Sequence, residues 1–108
     1  MELVDEIYLL TVDFPKSELF GLSSQIKRAS TSIVANIAEG FGRYTFADKA
    51  HKYVIARGEC TEVEAFLHIA VRVKILTEAK AHKAMALSNR TGKLLSGLIQ
   101  SCHRVTRS

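Results

Sequence analysis

Tryptophan is absent from this sequence, proline occurs once at Pro15, and cysteine twice, at Cys60 and Cys102. The near-absence of proline leaves long helices uninterrupted. Two cysteines, each within an apolar helical pattern, do not make a disulfide framework, and both read as reduced core residues. No apolar run reaches the roughly 18 residues that a membrane span needs, and charges interrupt every candidate. An amino-terminal secretory pattern is missing as well, so the expectation is a cytoplasmic protein with no membrane partner.

Catalytic vocabulary is equally sparse. There is no Gly-x-Ser-x-Gly elbow, no phosphate loop and no dinucleotide fingerprint after a strand. A di-iron bundle would need two Glu-x-x-His pairs. His51, His68, His82 and His103 instead follow Asp48, Ala65, Ala79 and Gln100 by three residues. The sequence therefore implies no catalytic residues, no metal, no cofactor and no small-molecule substrate: a protein that is not an enzyme.

What is present is helical periodicity over one 108-residue domain. A chain of this length buries roughly 60–70% of its unfolded surface, enough for a core without metal or disulfide. Leu3, Ile7, Leu10 and Phe14 predict a short helix over about 2–13, stopped by Pro15; its start beside Met1 reads as trimmed or frayed. Leu22, Ile26, Ala29, Ile33 and Ile37 predict a second over 22–41, with Gly40 and Gly42 at its end to supply positive φ. Thr45, with Asp48 three residues on, caps a third over 46–76. Its stripe is Tyr53, Ala56, Cys60, Val63, Leu67 and Ala70. Thr77 caps a fourth over 78–104, with a seam of Ala84, Leu87, Thr91, Leu94, Leu98, Ser101 and Val105, and Leu95 and Cys102 beside it. Four helices with short connections predict an all-α, antiparallel up-down-up-down four-helix bundle.

Three features exceed what a plain bundle needs. Phe66, Ile69, Val73 and Leu76 add a second apolar stripe to the third helix, covering either two neighbours in one bundle or a subunit interface. Gln25, Arg28, Ser32, Asn36, Glu39 and Arg43 form a polar seam on the second helix. It reads as a structural network, with Arg43 in reach of Glu39, or as a ligand or nucleic-acid site. Charge is also lopsided. Residues 1–64 hold seven Lys/Arg against ten Asp/Glu, and residues 65–108 hold eight against one, so the net +4 is the sum of −3 and +7. Lys80, Lys83, Arg90, Lys93, Arg104 and Arg107 stripe the fourth helix, as a solvated face or a contact for a polyanion. No aromatics interleave with them, so binding there would be phosphate-driven and weakly sequence-specific.

The run Phe14-Pro15-Lys16-Ser17-Glu18-Leu19-Phe20-Gly21-Leu22, then Gln25 to Ala29, Ser32-Ile33 and Asn36-Ile37-Ala38-Glu39-Gly40-Phe41-Gly42-Arg43 resembles the signature of a known family. That is the four-helix-bundle family of 23S rRNA-intervening-sequence proteins, which includes the accessory variability proteins of diversity-generating retroelements. Helix one is shorter at its start than is usual there, and Lys27 stands where arginine is common. The resemblance implies a homopentamer shaped like a barrel or funnel. In the retroelement branch it implies a basic surface for RNA or DNA and a reverse transcriptase as partner. The family name records where genes lie, not an activity. The reading is a ring-forming scaffold binding nucleic acid, and the alternative a module docking an acidic protein partner without nucleic acid.

Overall fold

The computed structural model describes residues 1–18 and 21–107, with side chains as far as Val105. Leu19 and Phe20 of the signature, and the Arg107 side chain, lie outside what it describes. Four helices run α1 Glu2–Thr11, α2 Leu22–Phe41, α3 Phe46–Arg72 and α4 Glu78–Arg107, with one 3-10 turn at Lys16–Glu18. No strand occurs among the described residues. The result is the all-α four-helix bundle expected, drawn out to 51 × 23 × 18 Å.

Contacts close a ring in chain order: α1 touches α2 and α4, and α3 touches α2 and α4. The diagonal pairs, α1 with α3 and α2 with α4, make no comparable contact. Such a ring puts one stripe of α3 at the centre. Tyr53, Ala56, Cys60, Val63, Leu67 and Ala70 are all at most 2% exposed, as their alternating three- and four-residue steps predict. Ile26, Ala29 and Ile33 of α2, Leu3 and Ile7 of α1, and Ala81, Ala84, Leu95, Ile99 and Cys102 of α4 close the core.

On α4 the expected seam is only partly correct. Ala84 and Leu87 are buried, but Leu94 is 66% and Val105 45% exposed, and Ser101 is exposed too. The buried line is instead Ala81, Ser88, Leu95 and Cys102 at seven-residue steps. Ser88 joins it because its hydroxyl, wholly buried, donates to the Cys60 carbonyl at 3.1 Å, so desolvation leaves no orphan.

Helix ends follow from identifiable bonds. The Thr11 hydroxyl donates back to the Ile7 carbonyl at 2.9 Å, and α1 stops there, two residues earlier than expected. Gly21 offers no side chain at the start of α2. The Glu18 carboxylate substitutes, accepting from the Leu22 amide at 3.3 Å, where the helix dipole favours a negative charge. Thr45 and Thr77 accept from Asp48 and Lys80 amides at 3.0 and 3.2 Å, the caps read from the sequence.

α3 ends at Arg72, not at 76. Lys74 adopts φ 65°, the Ile75 amide bonds the Ala70 carbonyl at 2.9 Å, and the Lys74 amide bonds Val71 at 3.1 Å. This paired closure folds Ile75 and Leu76 back, and Leu76 is 6% exposed within the core. Leu76 therefore leaves the second stripe of α3. A lysine in a conformation that usually selects glycine carries no sequence signature.

Neither glycine near the end of α2 adopts a positive φ, contrary to expectation. Gly40 is instead a contact point. A Cβ there would lie 2.5 Å from Tyr53 Cε1 and 2.9 Å from Cδ1, inside the ring of a residue 2% exposed. The glycine thus sets the distance between α2 and α3. Lys49, reaching over from α3, donates to the Phe41 carbonyl at 2.9 Å and the Gly40 carbonyl at 3.3 Å, closing the end of α2. Gly40→Ala should destabilise the protein by about 1–3 kcal/mol in chemical denaturation, despite alanine's better helix propensity. In a Tyr53→Leu background the same change should become neutral or stabilising. An equal loss in both backgrounds would show that the ring is not the cause.

Candidate nucleic-acid and assembly surfaces

The polar seam of α2 lies at its border with α3, and its members do not act as one chain. Arg28 donates to Gln25 within α2. Asn36 Nδ2 donates to the Ser32 carbonyl at 2.9 Å and to Ser32 Oγ at 3.2 Å. Glu39 pairs not with Arg43 but with Lys52 of α3, at 2.7 Å. The Lys52 hydrogen bond and charge hold the Glu39 carboxyl below its usual range, with Arg43 adding a weaker field. Local spacing could not reveal a partner on another helix.

Across from Ser32 and Arg28 stands a residue that the sequence reading did not single out. Burial, followed by contact with Glu62, raises the Glu59 carboxyl above its usual range, while Arg28 and Ser32 act in the opposite sense. The seam and two carboxylates of α3 thus form one polar band between the helices. Cys60 lies just beneath, its thiol pushed up to about 11, chiefly by burial, which leaves it protonated and unreactive at neutral pH.

On α4, Lys80, Lys83, Arg90, Lys93 and Arg104 are all exposed, spread along one side of the helix. Among the described residues, the one ion pair on this stripe is Lys83 with the buried Glu6 of α1, at 3.9 Å. Lys93 also borders an open groove of about 430 Å³ between α3 and α4, where Arg57 donates to Ser96 Oγ at 3.3 Å. Gly92 and Gly97 line it, and a Cβ at either would meet nothing within 4 Å.

Aromatic side chains, absent from the α4 stripe, gather at the end of the bundle where α2 meets α3. Tyr44 is fully exposed, Phe41 62% and Phe46 42%, with Arg43 exposed among them in sequence. Phe41 also meets the Tyr53 ring edge-on at 5.9 Å.

The outward face of α3 carries the second apolar stripe. Ile69 and Val73 are 47% and 56% exposed, and Phe66 is half-buried against the core. Val54, 43% exposed, and Gly58 extend this face toward the start of α3. They went unnoticed because the earlier half of the helix lacks a second run of large apolar residues. No group of three or more His, Cys, Asp or Glu side chains suited to a metal occurs among the described residues. None of their helices is long and apolar enough to cross a membrane.

Glu59 gives a pH-dependent signature. A carboxyl with a folded value above its unfolded one loses nothing while protonated. The cost of ionising it in place grows as pH climbs through the ordinary carboxylate range, about 4.3, toward the raised value. Glu59→Gln should therefore raise the melting temperature at pH 7, and the gain should vanish near pH 3.5. A gain that persists undiminished at pH 3.5 would contradict this origin.

No curated protein matches the chain. Among solved structures, a crystal structure of an S23 ribosomal protein family member of unknown function from Bacteroides thetaiotaomicron VPI-5482 superposes with TM-score 0.78. It is 31% identical and covers 89% of this chain and 87% of its own. The model of the 23S rRNA-intervening sequence proteins matches residues 1–97. The signature on α2, the four-helix ring and these two likenesses agree, and the chain belongs to the 23S rRNA-intervening sequence protein family.

Proposed function

We propose that the protein is a non-enzymatic homo-oligomeric scaffold, a pentamer, which holds RNA or DNA against the basic face of α4 as accessory to a reverse transcriptase. The observation that carries the reading is the exposure of five same-sign side chains along one helix, of which Lys83 has its pairing carboxylate in Glu6. A solvated helix face normally mixes charges. Here Glu78 is the one acid after residue 64, so the field is not cancelled locally, and repetition around a ring would multiply it. Support for the ring comes from Ile69, Val73 and Val54, apolar side chains on the one face of α3 that neither α2 nor α4 covers.

Contacts of this kind are to phosphate, so affinity should fall with salt and discriminate poorly between sequences. The test uses Arg90, Lys93 and Arg104, because replacing Lys83 would strand Glu6. Light scattering of the purified protein should give five times the 12.0 kDa of one chain. Replacing the three cations together by Gln should lower the slope of log K against log salt by about 2–3 while preserving that mass and the helix content. Binding with an unaltered slope would move the site away from α4. No binding in low salt, with the oligomer intact, would favour the docking of an acidic protein instead. A mass of 12 kDa across micromolar concentrations would remove the scaffold.

A further inference from the structure

Glycine is the weakest helix former after proline, and α4 carries two well inside its length, Gly92 and Gly97. Gly40 of α2 is bare because the Tyr53 ring needs the room. Packing makes no such demand of Gly92 or Gly97, since a Cβ at either would meet no atom within 4 Å. Both line the groove of about 430 Å³ whose walls are residues of α3 and α4.

Charge is arranged around them. Gly97 stands four residues after Lys93 and seven from both Arg90 and Arg104. These steps put the three cations on one face around a bare stretch of backbone, with Arg90 and Arg104 each about 10 Å from Gly97 along the axis. α3 adds a cation that the α4 stripe does not include. Arg57 is exposed and donates to Ser96 Oγ at 3.3 Å, which draws its guanidinium across the groove. Asn89, Ser96 and Gln100 bring neutral polar groups, and Glu64 is the one acid lining the groove. Its lining includes no aromatic ring, so what fits is a chain of phosphates and not a stacked base.

We infer that this groove seats the phosphodiester backbone of RNA or DNA, held by Arg57 from the α3 wall and Lys93 from the α4 wall. Gly92 and Gly97 let the strand lie against the helix backbone, closer to the cations than any side chain there would permit. Arg90 and Arg104 take the phosphates to either side. The inference rests on the reading of α4 as the nucleic-acid face. To that reading it adds a residue of α3 and a steric requirement.

Gly92→Leu with Gly97→Leu fills the groove without changing charge. That variant should keep the helix content and melt no lower than the parent, because leucine favours the helix. By fluorescence anisotropy it should bind an oligouridylate of about 20 nucleotides about tenfold more weakly. Arg57→Gln alone should lower the slope of log K against log salt by about 0.7, the contribution of one contact to a single strand. Binding that needs Arg90, Lys93 and Arg104 but is indifferent to both of these changes would overturn the groove and leave the α4 face standing. No binding by the parent protein would remove both readings together. A polyglutamate chain that competes with the RNA at equal charge would overturn the assignment to phosphate. So would a changed mass in light scattering once the groove is filled, which would assign it to a contact between copies.

Discussion

The bundle depends on α3 being packed on two sides at once. α2 and α4 both lie against it and not against each other, so a single stripe from Tyr53 to Ala70 serves two neighbours. Close approach requires small groups at the crossings, and Ala56, Cys60, Ala70 and the bare backbone of Gly40 supply them. Ser88 binds α4 to the Cys60 carbonyl from one side, and Lys52 binds Glu39 from the other.

From that arrangement the surfaces follow. A helix flanked by two neighbours on one half of its circumference shows the remainder outward, and on α3 that remainder is apolar at Val54, Ile69 and Val73. α4, held by α3 on one side, turns its cations outward. α1, the shortest member, closes the ring over only part of its length.

The α3 stripe was legible in the sequence because six residues keep strict helical steps and all are apolar. Both threonine caps and the boundaries of α2 were legible for the same reason: the signals are local. The seam of α4 was half legible. Heptad spacing selected Leu94, Ser101 and Val105, which are exposed, whereas burial selects Ser88, a polar residue made acceptable by a bond 28 positions away. The end of α3 was hidden in an ordinary-looking lysine, Lys74. On the polar seam the bonds within α2, Arg28 to Gln25 and Asn36 to Ser32, follow the local spacing, but the partners on α3 do not. Glu39 finds Lys52, and Ser32 and Arg28 face Glu59, because those pairings exist only once α2 and α3 are antiparallel.

If α3 is the element on which the others depend, native-state hydrogen exchange should rank the helices. Amides from Tyr53 to Leu67 should exchange only through global unfolding, with free energies matching that from denaturant. α1, held on two sides over ten residues and capped by little besides Thr11, should open separately and at lower cost. Protection of α1 equal to that of α3, or exchange of the Tyr53–Leu67 amides through a smaller opening than α2 or α4 shows, would contradict the account.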